Sequence, residues 1–429
     1  MKPYSPKLKV IIYAFVAVGL FSWGYLAHRN QMFPYQLAKF AAVRLGLVPP
    51  ATSDGLAAKR RGIGPAVAPL GVLTSLPYVQ SRFDPKSAQR GVITFDTVRA
   101  EQGVNFYNSF KEDYALLIDM RGDIVHQWRY QYPGGYWHHA ELLEDGSVLV
   151  VVRDLAIIKL DRCSNLVWSH ETRAHHGVWV DGDGKIYVLT RGLVDAPEVH
   201  SGGKILDDRI AVLSADGLVD YELSILTLLR ESGYDYLLRN VEDMAFDESD
   251  ELDPIHTNHV EIFDGRLAHR SALFKQGNLL ISMKNLNAIA IVDGSTRQIV
   301  WLWGPNNLVQ QHQPQLLPDG KILIFDNGLE GSRVIELDPL EMRIVWTYEN
   351  GTDFFSETMG SVQRLPNGNT LITESGKGYV LEVNRLGEIL WKFANPEVSE
   401  EGNRLNIWRM TRLTPSTRLT YESMECADQ

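Results

Sequence analysis

The chain has 429 residues, 45% hydrophobic and 22% charged, which supplies a sizeable buried core and excludes a mostly disordered protein. A net charge of -11 speaks against nucleic acid as a partner, since phosphate neutralisation needs clustered Lys and Arg and no basic run occurs beyond Lys59-Arg60-Arg61. The two cysteines, Cys163 and Cys426, lie too far apart in sequence to point to a disulfide framework or a metal knuckle, so neither redox compartment nor metal is read from them.

The N-terminal segment KLKVIIYAFVAVGLFSWGYLAHR (7–29) holds an uncharged stretch from Val10 to Ala27, near the lower limit of what spans a bilayer. Lys2, Lys7 and Lys9 precede it, which places the N-terminus in the cytoplasm and the rest of the chain outside. Bulky Trp23 and Tyr25 leave no small-x-small cleavage site, so an uncleaved transmembrane anchor over 1–30 fits better than a removed signal. Residues 31–50 have helical apolar spacing and stop at Pro49-Pro50, as an amphipathic stalk would; 51–71 are Gly/Ala/Pro-rich linker, and stalk and linker together are expected over 31–89.

Beyond residue 90 two patterns recur. One is an Asp or Asn, a loop and an aromatic-ended apolar run: LIDMRGDIVHQW (117–128), LDRCSNLVW (160–168), LSADGLVDYEL (213–223), IVDGSTRQIVWLW (291–303), LDPLEMRIVWTY (337–348) and VNRLGEILWKF (383–393). The other is a strand-turn-strand hairpin around Asp-Gly or Asn-Gly, seen at 138–153, 175–191, 312–327 and 360–375, with a fifth copy, 256–284, carrying an insertion. Four short antiparallel strands in about 40 residues make one propeller blade, whose faces are buried only by its neighbours. The fold expected is an all-β, six-bladed β-propeller of four-stranded antiparallel blades over 90–415, preceded by the transmembrane helix and followed by a tail, 416–429. The first unit, roughly 90–131, and the terminal NIWRMTRLT (406–414) are expected to share the blade that closes the ring.

Aligned on the turn glycine, His138, His176 and His312 each fall eight residues before Gly146, Gly184 and Gly320, and His256 falls nine before Gly265. Seven residues after the turn glycine come Arg153, Arg191 and Asn327, and Lys284 lies seven after Gly277, the glycine beyond the insertion. Positions equidistant from a hairpin turn are cross-strand neighbours, so each histidine is expected beside an Arg, Lys or Asn, in a ring around one mouth of the channel. A single buried histidine is commonly a hydrogen-bonded core residue; four with three aligned cations repel unless something anionic sits between them. Strand alternation turns His139, His175 and His259 to the opposite face, in structural roles, and turns Asp326 and Glu374 away too, leaving few carboxylates for a metal. Imidazole with neighbouring cations suits nucleophilic transfer of a sulfuryl or phosphoryl group.

The segments DPIHTNHV (253–260), LLISMKNLNAIAIVD (279–293), IVWLWG (299–304) and QQHQPQLLPDG (310–320) resemble the arylsulfate sulfotransferase family, bacterial six-bladed propellers that move sulfuryl groups between phenols without a nucleotide donor. The resemblance implies a nucleophile at His312 that becomes a sulfohistidine, and a sulfuryl-binding His-x-Asn pair in His256 and Asn258. It places Lys284 where the family has an arginine and completes the site with His176 or His138; His256 would bind sulfuryl oxygens and act as acid or base. It implies aryl sulfate and phenol as small-molecule partners and no cofactor; the family's short disulfide loop has no counterpart here. Tyr136, Trp137 and Phe355 are candidate stacking partners for an aryl ring. Two rivals remain open: a non-catalytic extracytoplasmic propeller that binds a partner, and a quinone-dependent dehydrogenase, for which only the acidic loop 240–254 offers a cation site.

Overall fold

The Asp-Gly or Asn-Gly pairs of the four regular hairpins close them because the glycine adopts the left-handed backbone that a Cβ disfavours: φ is 83° at Gly146, 79° at Gly184, 80° at Gly320 and 87° at Gly368. The Asp or Asn of the other repeat closes a different turn with its own side chain. Its Oδ1 accepts N–H groups two and four residues on, from Arg121 and Asp123 at Asp119, Cys163 and Asn165 at Asp161, and Leu386 and Glu388 at Asn384. The structure, a computed structural model, describes Ser81, residues 88–201, 203–238 and 251–417, and Cys426.

Among the described residues these turns join 25 strands into six antiparallel sheets. A first strand, β1 (Gly91–Phe95), precedes the blades. Blade one holds β2 (Val104–Ser109), β3 (Tyr114–Ile118) and β4 (Ile124–Arg129), with β25 (Ile407–Leu413) on the inside. Blade two is β5 (Trp137–Leu142), β6 (Val148–Val152), β7 (Ala156–Leu160) and β8 (Leu166–Glu171). Blade three is β9 (Ala174–Val180), β10 (Ile186–Asp195), β11 (Lys204–Leu213) and β12 (Val219–Ser224). Blade four is β13 (Thr257–Ile262), β14 (Leu279–Met283), β15 (Ala288–Asp293) and β16 (Gln298–Trp303). Blade five is β17 (His312–Leu316), β18 (Ile322–Asp326), β19 (Arg333–Asp338) and β20 (Arg343–Glu349). Blade six is β21 (Ser361–Arg364), β22 (Thr370–Glu374), β23 (Tyr379–Val383) and β24 (Ile389–Ala394).

The expected ring closure is observed, since β25 from the chain end pairs with β2 in blade one. The expected first unit needs a correction: β1 pairs with β24, from Gly91 opposite Ala394 to Phe95 opposite Trp391, and is a fifth, outer strand of blade six. The edge of β24 offers unpaired backbone groups, and the chain before blade one covers them. Ring closure is thus double, by β25 inside and β1 outside.

The core is divided among the blade boundaries. Val104, Phe106, Leu117 and Trp128 of blade one pack against Trp137, Val148, Val150 and Ile158 of blade two. Leu149, Val151 and Ile157 on the other face of blade two meet Val178, Ile186 and Val188 of blade three. The same holds between blades four and five and between six and one. Alternate residues of a strand therefore serve alternate neighbours.

Polar latches repeat with the same step. At five of the six boundaries a ring N–H on a fourth strand donates to the carbonyl just after the next blade's turn-opening residue. His126 reaches Arg162 at 2.8 Å, Trp168 Ala215 at 3.1 Å, Trp301 Pro339 at 3.0 Å, Trp346 Arg385 at 3.1 Å and Trp391 Met120 at 2.9 Å. This explains why a ring with an N–H recurs at or two residues before the end of these apolar runs. Tyr221 holds the sixth place, under the Arg297 guanidinium at 5.2 Å.

The cysteines also need a correction: Cys163, in the turn between β7 and β8, is disulfide-bonded to Cys426 across 263 residues, with the Cα atoms 5.5 Å apart. Sequence separation sets no limit on spatial approach once a ring brings the chain end back to its start. Among the described residues no helix is long and apolar enough to cross a membrane. The expected anchor over 1–30 and nearly all of the stalk and linker over 31–89 lie outside the described residues.

Because the bond closes so long a loop, Cys426→Ser is expected to cost about 2–4 kcal/mol of unfolding free energy, read as a lower thermal midpoint. Reducing agent should produce the same loss in the wild type and none in the variant.

Candidate functional site

The six inner strands β5, β9, β13, β17, β21 and β25 neighbour one another around the axis. Most carry a register break at the same end: between Trp137 and His139, around His175–Gly177 in β9, between Thr257 and His259, and between His312 and Gln315. A bulge re-aims the side chains that follow it, and such bulges concentrate at barrel and propeller rims. Backbone strain collects here too, with positive φ at His176 (55°), His256 (52°), Gln310 (56°) and Gln313 (43°).

The bulges bring the predicted histidines together as a chain of ring contacts. His138 and His176 have centroids 5.0 Å apart, and His176 and His256 are 4.8 Å apart. The backbone N–H of His176 donates to His138 Nδ1 at 2.9 Å. His312 follows on blade five: its Nδ1 lies 2.9 Å from the Gln310 carbonyl and 2.7 Å from Asn327 Oδ1. Both neighbours are acceptors, so Nδ1 carries the hydrogen and Nε2 keeps its lone pair, buried without a hydrogen-bond partner among the described residues. The Asn327 amide is itself anchored, donating to the carbonyls of Ser356 and Met359 at 2.7 Å each.

The expected cross-strand partners hold in part. Lys284 is the backbone neighbour of His256, its N–H donating to the His256 carbonyl at 3.0 Å. Arg153 instead bonds the Tyr136 carbonyl and Arg191 the Arg173 carbonyl, because the bulges shift the count from the turn. Their guanidinium groups turn to a carboxylate absent from the sequence reading. Arg191 grips Asp154 with Nε at 2.7 Å and Nη2 at 2.6 Å, and Arg153 Nε lies 3.5 Å from the same residue.

Carboxylates are therefore present after all. Asp253, 2% exposed, accepts from the His256 backbone N–H at 3.0 Å, and its Oδ2 lies 2.5 Å from His256 Nδ1. Arg191 Nη1 stands 3.7 Å from the same Oδ2. Asp208 is 3.4 Å from His175 Nε2, and His175 Nδ1 is 2.7 Å from His176 Nδ1. The signal for Asp253 was in plain view three residues before His256; no alternation rule applies across a loop. Among the described residues no cluster of three or more His, Cys, Asp or Glu side chains has metal-binding geometry.

Two further expectations change. His139 and His259 do not face away: with His176, Asn258, His312 and Arg409 they line the cavity that runs into the channel. The bulge lets neighbouring residues share one face. Trp137 is fully buried, its indole donating to the Tyr130 carbonyl at 2.9 Å, so it packs blade two. The aromatic wall of the mouth is Trp408 instead, 4.1 Å from His138 and 5.7 Å from His176, with Phe110 stacked on it at 5.5 Å. Trp408 lies in the closing strand that the sequence singled out, at the sixth ring position.

Burial controls the charge of this ring. It pushes His138, His176 and His256 well below the ordinary imidazole range, with Arg153 adding to the effect at His138, His256 at His176, and Lys284 at His256. His312 falls to about 3 through burial and the Lys284 charge, against the hydrogen bond it donates to Asn327. Lys284 falls to about 8, again mainly through burial, with Asp253 opposing. At neutral pH the site thus holds neutral imidazoles and one buried ammonium beside them.

Residues 139–396 match the family described as arylsulfotransferase (ASST). Among solved structures, a protein of unknown function from Bacteroides caccae is 12% identical over 72% of this chain and 98% of its own, with a TM-score of 0.49. A streptogramin B lyase is 12% identical over 78% of this chain and 96% of its own, with a TM-score of 0.43. No curated protein matches the sequence.

The lowered Lys284 value has a sign that stability measurements can read. Between pH 8 and 10.5 the unfolded chain holds this proton and the folded chain does not, so unfolding free energy rises with pH across that window. Urea unfolding at the two ends should show a rise in the wild type that is smaller in Lys284→Met by roughly 3 kcal/mol.

Proposed function

The chain belongs to the arylsulfotransferase family, and on that premise we propose that its propeller moves a sulfuryl group from an aryl sulfate donor to a phenolic acceptor through a covalent bond to His312. One observation carries the reading: His312 Nδ1 is tied to Gln310 and Asn327, while Nε2 faces the cavity as a neutral, unshared nucleophile. In the first half-reaction Nε2 attacks sulfur, the sulfur–oxygen bond to the aryl group breaks, and its electron pair leaves with the phenolate. In the second, an acceptor oxygen attacks the same sulfur and the nitrogen–sulfur pair returns to the ring.

Lys284 supplies positive charge to the sulfuryl oxygens, as a compact point charge where the family's arginine is a planar fork. The neutral Asn258 amide is held beside them, one N–H donating to the Gln311 carbonyl at 2.8 Å, which leaves its second N–H for a sulfuryl oxygen. Asp253 positions the His256 ring beside the reacting centre. His138 and His176 line the approach, Trp408 gives the aryl ring a face to stack on, and Arg153 and Arg191 add positive field at the rim.

The Cys163–Cys426 disulfide supports placing the propeller outside the cytoplasm, where such bonds persist. The uncharged Val10–Ala27 stretch with lysines before it supports a single-pass anchor that holds the domain at the membrane.

Intact-mass measurement of the detergent-solubilised chain after incubation with phenyl sulfate should show a gain of about 80 Da in the wild type and none in His312→Ala. Absence of any adduct across several aryl sulfates would sink the reading in favour of a binding propeller. The transfer rate should fall as pH rises through about 8, because Lys284 is charged below that value and neutral above it, and Lys284→Arg should move the fall to higher pH.

A further inference from the structure

One layer below His312 the inner strands repeat a motif that the transfer chemistry above does not use. His139 and Glu141 on β5, and His259 and Glu261 on β13, have one residue between them and so share a strand face. Between these strands β9 contributes Gly177, where an added Cβ would meet nothing within 4 Å. His139, Gly177, His259, Gln313, Ser361 and Arg409 line one cavity with His312 and Asn258. It is continuous with the transfer site.

The hydrogen bonding of this layer is one-sided. His139 Nε2 is 3.1 Å from Glu141 Oε2, and His259 bonds the Pro314 backbone. Each ring thereby spends its N–H on an acceptor, and its other nitrogen, His139 Nδ1 or His259 Nε2, is buried without a partner among the described residues. Asn258 Oδ1 and His312 Nε2 are in the same condition. Four acceptors around one cavity call for a ligand that donates hydrogen bonds, and water or a hydroxyl group meets that need.

Resting on the transfer reading, we infer that the channel below His312 binds hydrogen-bonding solvent on His139, His259 and Asn258, and that this solvent passes a proton between the transfer site and Glu261. The chemistry requires such a store. In the first half-reaction the departing phenolate gains a proton from Glu261 by way of the solvent, leaving a carboxylate, while His312 keeps its Nδ1 hydrogen. In the second, the acceptor hydroxyl loses a proton, which returns along the same path to Glu261, and no net proton is consumed.

Glu261 is suited to hold that proton: burial raises its carboxyl to about 8, partly offset by the Leu316 backbone N–H that it accepts at 2.9 Å and by Arg409. The charged groups facing it are Arg409 from β25, which donates to Glu141 at 3.3 Å and to the Gln313 amide oxygen at 2.8 Å, and Asp264 beyond the end of its own strand. The ring histidines are all pushed below neutrality and hold no spare proton. Lys284 holds one, but its charge is used on the sulfuryl oxygens in both steps.

The test compares the rate of phenol release in a single turnover from 4-nitrophenyl sulfate, whose leaving group needs no proton, with that from phenyl sulfate, whose leaving group does. In Glu261→Gln, which keeps the hydrogen bond to Leu316, and in His259→Gln, the ratio of the two rates should rise by roughly 10²-fold over the wild type. A merely structural role would lower both rates together and leave the ratio unchanged, as would a wrong assignment, and either result overturns the inference. A shifted ratio in Lys284→Met with none in Glu261→Gln would overturn it as well. Failure of the wild type to release phenol from any donor would instead bring down the transfer reading itself.

Discussion

Everything in this protein depends on one blade being unable to bury itself. A four-stranded sheet has two apolar faces, and Leu149 and Val150, neighbours on β6, pack into different boundaries, one with blade three and one with blade one. The ring has to close for any boundary to be complete. The ring N–H latches of His126, Trp168, Trp301, Trp346 and Trp391 add direction to this packing, because each indole or imidazole must meet a carbonyl at one place on the next blade. Apolar burial supplies the driving force and the latches fix the angular step.

That closed ring makes a buried histidine cluster tolerable. Neutral imidazoles need only hydrogen bonds, and the inner strands offer them from backbone groups such as the His176 N–H and the Gln310 carbonyl. The same burial that keeps the rings neutral makes them available as nucleophiles and bases at ordinary pH. Lys284, Arg153 and Arg191 are balanced locally by Asp253 and Asp154, so the mouth carries charge without the repulsion that the aligned columns alone would imply. The Cys163–Cys426 bond ties the closing end of the chain to blade two.

Much of the fold was legible because propellers repeat their punctuation. The turn glycines and the Asx residues have local causes, which survive in sequence, and the aromatic residues of the runs recur because each blade repeats the same latch to its neighbour. β1 was misplaced for the opposite reason: its partner, β24, is almost three hundred residues away, and nothing in GVITF names the edge it covers. His126 stands where the other copies have tryptophan or tyrosine, and its latch is not legible in the sequence because imidazole does not look like indole until its N–H is seen on a carbonyl.

The site divides along the same line. Sequence by itself determined the set of ring histidines, the closing strand that brings Trp408, and the pairing of Lys284 with His256, since each follows from counting along a hairpin. Tertiary structure alone decided which side chains face the channel. One extra residue in each of β5, β13 and β17 reverses the alternation there, and β9 carries two, so His139 and His259 turn inward and Arg153 and Arg191 swing onto Asp154. A bulge is a choice between nearly equal local backbones, and the contacts that settle it come from neighbouring blades, which a count along one hairpin does not contain.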